Sequence, residues 1–251
     1  MENINQIKQQ QELDAIIASI VGDTNKEQVI ELELPSRGYG YTFTDGSTKV
    51  KVKPMTFADE KTILSAGKTG ADPVSVLLNR CVLNLQINKT YIFDKLFLLL
   101  KIRELSYGGS YQAAVHCPSC NKENNLDIKI GSLLINYIND DFTDPMEVTL
   151  PVAGKKVLIK HPKVEDEQYL GTFEKSTSNL WRFIVSIDGH NNSVVINKVL
   201  EKLHLKDVNT IIKSVINSKY GVVPSVKMEC VECNKLNTLD LPISADFFMG
   251  N

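Results

Sequence analysis

Near the start of the chain, apolar residues recur at Leu13, Ile16, Ile17 and Ile20, the i, i+3, i+4, i+7 spacing that lays one stripe along a helix. The rest of segment 1–28 is polar and rich in Gln and Asn. It predicts an N-terminal amphipathic helix that either folds back on its own domain or docks on a partner. From Val29 the period changes. The pattern turns strand-like through VIELELP, SRGYGY and TFTDGSTKVKVKPM, and Asp45-Gly46 predicts a tight hairpin between TFT and STKVKV, because both central residues of a type I′ turn need positive φ. Thr56 followed by Asp59 and Glu60 predicts a helix N-cap with acids in the first turn. That helix covers FADEKTILSAG and stops near Gly67. Asp72-Pro73 opens another through PVSVLLNRCVLNL, and a third runs from about Asn88 to Leu105 on apolar positions 92, 93, 96, 97, 99, 100 and 102. Tyr107-Gly108-Gly109 ends it, SYQAAVHC follows as a strand, CPSC as a turn and NLDIKI as the returning strand.

The second half repeats this order. MEVTLPVAGKKVLIKHP predicts a hairpin around Ala153-Gly154, and KVEDEQYLGTF predicts a helix start comparable to MTFADEKTIL, with Asp166 and Glu167 in the places of Asp59 and Glu60. Residues 176–216 read as mainly helical, although the apolar run in WRFIVSIDGHNNS leaves a strand open there. Tyr220-Gly221 precedes Cys230 as Tyr107-Gly108 precedes Cys117. The pattern therefore predicts an α+β chain of two similar tandem modules, residues 29–138 and 146–251, each ending in a Cys-x-x-Cys hairpin. The segment NDDFTDP, 139–145, is read as an exposed linker.

The two cysteine pairs make the repeat concrete. Cys117 and Cys120 match Cys230 and Cys233 at a constant offset of 113 (230 − 117 and 233 − 120), and the same offset aligns Asn121 with Asn234, Lys122 with Lys235, Asn124 with Asn237, Leu126 with Leu239, Asp127 with Asp240 and Ile130 with Ile243. A Cys-x-x-Cys on a hairpin tip is half of a zinc-ribbon-like site, since the spacing turns both sulfurs toward one metal about 2.3 Å away. Two such knuckles predict one shared Cys₄ zinc site that is structural, with Cys117, Cys120, Cys230 and Cys233 as ligands. Three other readings stay open: paired thiols that have lost their metal, His116 in place of a cysteine, and a redox pair. Neither pair opens a helix after a strand, the setting that activates a thiol, which disfavours the redox reading. The fifth cysteine, Cys81, lies on a helical apolar pattern and reads as a small buried hydrophobe.

Composition narrows the function classes. The chain has 251 residues, 23% charged and 43% hydrophobic, with a net charge of −2, which argues against coating nucleic acid through counterion release. The most apolar stretch, Tyr91–Leu100, carries Asp94 and Lys95 and is too short for a bilayer of about 30 Å. The start of the chain has no basic segment and no small-residue cleavage site, so the expected location is the cytoplasm, where paired thiols persist. His161, His190 and His204 are scattered, and GxGxxG, GxxxxGK[ST], GxSxG and HExxH are all absent. Asp59, Glu60, Glu165, Asp166 and Glu167 are explained by helix first turns, and SRGYGY, with one Arg, by a surface turn.

ELPSRGYGY, VKVKPMTFADE, IRELSYGGSY, the CPSC knuckle and the terminal CVECNKLNTLDLPISADFF resemble the base plate protein family of T4-like contractile-tailed bacteriophages, the baseplate hub subunits. The resemblance covers roughly residues 30 to 250 and leaves out the N-terminal segment. It implies a non-enzymatic component of the hub at the distal end of the tail, or a factor that assembles it. It also implies other tail proteins as partners, host cytoplasm during assembly and the virion tail as locations, and no catalytic residues. The alternative is a zinc-ribbon nucleic-acid-binding protein. Such a protein concentrates Lys and Arg near its knuckles, whereas here Lys122, Lys129, Lys227 and Lys235 are offset by Glu123, Asp127, Glu229, Glu232 and Asp240.

Overall fold

The computed structural model describes residues 2–22, 28–70, 72–241 and 247. Helices and small antiparallel sheets alternate, which makes the chain α+β. The first helix, α1 (Glu2–Val21), carries the stripe expected of it. Leu13, Ile16, Ile17 and Ile20 are all exposed, so the stripe is not folded back on the rest of the molecule.

Strands β1 (Ile30–Leu32) and β2 (Val50–Val52) pair antiparallel, with Glu31 opposite Lys51. The hairpin predicted at Asp45-Gly46 is not formed. SRGYGY is a run of turns, with Arg37, Gly38 and Gly40 at positive φ, and of the Asp45-Gly46 pair only Gly46 has positive φ. Asp45 is instead a receptor for its surroundings: its carboxylate lies 2.7 Å from Lys51 Nζ and accepts from Asn84 Nδ2 at 3.1 Å and the Ser47 amide at 3.1 Å.

Helix α2 (Phe57–Thr69) begins where Thr56 and Asp59 form a reciprocal capping box and runs past Gly67 to a left-handed C-cap at Gly70. Helix α3 (Pro73–Cys81) is capped by Asp72, which accepts from the Val74 and Ser75 amides. Helix α4 (Ile92–Tyr107) buries Phe97, Leu98, Leu99, Leu100 and Ile102 and stops at Gly108, φ 90°. Each such side chain contributes about 1.5–3 kcal/mol by leaving water, so α4 is the spine of the first core. Strands β3 (Ser110–His116) and β4 (Glu123–Lys129) then form the first knuckle hairpin. After a short strand β5 (Ile135–Asn136) the chain enters the second half.

A three-stranded sheet, β6 (Met146–Thr149), β7 (Lys156–Ile159) and β8 (Ile184–Ile187), is ordered β6-β7-β8. The apolar run left open in WRFIVSIDG is thus a strand. KVEDEQY, expected as an α-helix start, is a 3₁₀ segment at Val164–Tyr169, followed by the short helix α5 (Phe173–Ser178). Helices α6 (Ser193–Leu200) and α7 (Leu205–Ile216) complete this half, and Leu150, Val157, Ile159, Phe183, Ile196 and Ile211 form its core. The chain then returns to the first half. Strand β9 (Gly221–Val222) pairs with β5, and Val222, Leu241 and Phe247 are buried in the first core. Strands β10 (Ser225–Glu229) and β11 (Leu236–Asp240) form the second knuckle hairpin.

Between the two cores sits an aromatic cluster of Tyr91, Phe93 and Phe142 with Tyr41 and Tyr220. In segment 139–145, Asn139 to Asp141 are exposed as expected of a linker, but Phe142 is buried and stacks on His161 with ring centroids 4.7 Å apart. A chain of hydrogen bonds runs through this cluster. The Ser36 amide (3.0 Å) and Tyr41 hydroxyl (2.7 Å) donate to Asp94, the Tyr91 amide donates to Tyr41 Oη (2.6 Å), and the Tyr91 hydroxyl (2.8 Å) and His161 amide (3.0 Å) donate to Asp144.

Candidate metal centre

The two knuckles are built alike. β3 and β4 pair from Ser110–Lys129 to His116–Glu123, and β10 and β11 from Ser225–Asp240 to Glu229–Leu236, so both ladders close at the same distance from the first cysteine. At each tip the first cysteine donates its amide across the loop, Cys117 to Lys122 O (2.8 Å) and Cys230 to Lys235 O (3.1 Å). Asn121 and Asn234 then return their amides to the Cys117 and Cys230 carbonyls at 2.8 and 2.9 Å. Both asparagines are left-handed, at φ 61° and 51°, a conformation that Asn tolerates better than other side chains with a Cβ. That geometry explains why the repeated motif reads Cys-x-x-Cys-Asn.

Among the described residues no strand ladder joins the hairpins; they meet through side chains. Cys117, Met228 and Cys230 are buried together, with Val115, Leu126, Cys233 and Leu239 against them. Val115 and Met228, and Leu126 and Leu239, are the same positions in the two repeats, so the packing is close to twofold.

This packing brings all four expected ligands together. The sulfurs of Cys117, Cys120, Cys230 and Cys233 lie within 4.8 Å of one another. The short contacts cross between knuckles, Cys117 to Cys233 at 3.8 Å and Cys120 to Cys230 at 3.6 Å. A tetrahedron with metal–sulfur bonds of about 2.3 Å has sulfur–sulfur edges of about 3.8 Å, so the donor set fits a thiolate-bound metal in type, number and spacing. All four thiols are free, and these separations are far from the bond length of a disulfide, about 2.05 Å.

The surroundings favour thiolates at two of the four positions. The Cys233 and Glu232 amides, with Asn124, bring Cys230 down to about 6. At Cys117, burial works upward but is outweighed by the Ser119 and Cys120 amides, and the thiol is lowered. Cys120 is pushed up to about 12: the Lys122 amide works downward, but burial and the three neighbouring sulfurs outweigh it. Four thiols this close cannot all ionise without a cation among them, which is the electrostatic reason such a set suits a metal ion.

Among the described residues His116 is not in the cluster; it is exposed at the end of β3, opposite Glu123. Cys81 is in the first core with no exposed surface, and burial pushes its thiol up to about 12. Asn124 and Asn237 were legible only as repeated letters; here both reach the sulfurs. The acids read as cap residues do cap: Asp59 closes onto Thr56, and Asp166 accepts from the Lys163 amide at 3.0 Å.

The family model described as T4 bacteriophage base plate protein matches residues 30–249. The chain belongs to that family. The match takes in both knuckles and leaves α1 outside. No curated protein and no solved structure matches the chain. Among the described residues no helix is long and apolar enough to cross a membrane.

Proposed function

We propose that this chain is a non-enzymatic structural and assembly component of a contractile tail's baseplate hub, built of two similar α+β modules held together by a Cys₄ zinc site and binding other tail proteins. Membership of the base plate family supports the baseplate role and a place in the virion tail. The observation that carries the rest is the meeting of four cysteine sulfurs from two distant hairpins within 4.8 Å. Cys117, Cys120, Cys230 and Cys233 would hold the zinc, which supplies a closed cross-link and no chemistry. The proposed divisions are an arm at 1–28, modules at 29–138 and 146–251, and a joining segment at 139–145. Matching features support them: Val50 and Val157, and Val52 and Ile159, are fully buried on the second strand of each half's first antiparallel pair. In both halves a lysine then an acid follow, Lys53 with Asp59 and Lys160 with Asp166, in ion pairs of 3.2 and 2.9 Å.

Elemental analysis of protein purified without chelator tests the site. The expected result is close to one zinc per chain, lost on Cys117→Ser or Cys230→Ser; a stoichiometry near zero removes the zinc reading. Co-purification from phage-infected cells tests the assembly role, and recovery of no tail protein overturns it.

A further inference from the structure

Each knuckle places one asparagine against the sulfur of the other. Asn124 Nδ2 lies 3.6 Å from Cys230 Sγ, and Asn237 Nδ2 lies 3.5 Å from Cys117 Sγ. The same amides hold their own knuckles, Asn124 donating to Lys122 O and Asn237 to Lys235 O, both at 2.9 Å. Their oxygens also cross over: Asn124 Oδ1 accepts the Val231 amide (3.0 Å) and Asn237 Oδ1 accepts from Ser119 Oγ (3.2 Å). These partners fix the amide orientation, because a flipped amide would aim its oxygen at a carbonyl and a sulfur, both acceptors.

We propose that Asn124 and Asn237 are the positioning residues of the metal centre, each stabilising a thiolate of the opposite knuckle so that the centre closes only when both halves are docked. The proposal rests on the metal reading above. Four thiolates around one divalent cation carry surplus negative charge, and N–H donors aimed at sulfur disperse it. A single knuckle supplies two sulfurs but lacks the crossing amide, so neither half alone offers the complete site. Asn124 is buried and Asn237 half-buried. Removing the donor at position 124 therefore has the larger effect, since water cannot replace it.

The test uses the full chain, stripped of metal and titrated with Co²⁺, whose absorption reports thiolate ligation directly. Wild type is expected to bind one Co²⁺ with thiolate-to-cobalt charge-transfer bands. Asn124→Asp keeps the shape but turns a donor into an anion facing sulfur, and Asn237→Asp does the same at the more accessible position. Both should weaken Co²⁺ by ~10–100-fold, the range for groups that orient metal ligands, and both should shift the charge-transfer energy, a readout that mere loosening of the fold does not move. Asn237→Ala covers the event that Asn124→Asp does not fold. Variants with wild-type affinity and band energy overturn the role of the asparagines and leave the metal centre standing. Wild type without charge-transfer bands overturns the metal reading itself, and the asparagine proposal with it.

Discussion

Gly221 packs directly against the backbone of Phe93: a β-carbon at position 221 would lie 2.7 Å from the Phe93 carbonyl oxygen. The glycine also has φ +93°, so any side chain there meets strain as well as overlap. This contact seats β9 on α4 where the chain returns from the second half to the first. Gly221→Ala is expected to destabilise the protein by roughly 2–4 kcal/mol. Gly108 shares the Tyr-Gly motif and a positive φ, but a β-carbon there would meet nothing within 4 Å. Gly108→Ala should therefore cost about 1–3 kcal/mol from strain alone, less than Gly221→Ala, and denaturant titration of both variants separates overlap from strain.

Asp94 predicts a pH effect. Its carboxyl has no exposed surface, and burial raises it to about 6 although Ser36 and Tyr41 donate to it. The folded state thus holds this proton more tightly than the unfolded chain. The resulting stability is fully present below about pH 4 and is lost as pH rises through 6. Asp94→Asn, which cannot ionise, should gain on wild type by about 3 kcal/mol between pH 4 and pH 8. A stability difference that stays constant with pH would refute this.

Asp59 has the opposite sign. Burial works against its charge, but the Thr56 amide and hydroxyl, Arg80 and Lys53 outweigh it and hold the carboxyl well below the usual range. Its contribution is present above about pH 4 and lost on further acidification. Asp59→Ala removes the cap and both ion pairs and should cost roughly 2–4 kcal/mol at pH 7. Asp166→Ala should cost less, since Lys163 stands where Thr56 stood and supplies no hydroxyl to the carboxylate.

The proposed metal centre predicts a response to chelation. On exhaustive chelation we expect a lower melting temperature and four thiols newly reactive toward a thiol reagent, with Cys81 protected until global unfolding. Equal reactivity before and after chelation contradicts the site.

Deleting residues 1–22 should leave the melting temperature of the remainder within about 2 °C, because the stripe on α1 is solvent-exposed, Ile20 at 78%. A larger fall in calorimetry would mean that the arm packs against the body in solution.

Local signals carried much of this protein. Asp72-Pro73 and Thr56 with Asp59 were readable as helix starts because caps act over three or four residues, and the paired Cys-x-x-Cys motifs were readable as hairpin tips because strand, turn and returning strand are written within about twenty residues. Several readings failed where a distant partner decides. Asp45 looked like half of a hairpin turn, but Lys51 and Asn84 hold it elsewhere; Phe142 looked like part of a linker, but Tyr91, Phe93 and His161 bury it. The sequence by itself determined the α+β character, the two knuckles and the identity of the four sulfurs, since each is written in residues close together. Only the tertiary structure decided that the sulfurs converge, that Asn124 and Asn237 cross between knuckles, and that Val222, Leu241 and Phe247 return to the first core. Those choices depend on which apolar surfaces bury one another across a hundred residues, and no local spacing encodes them.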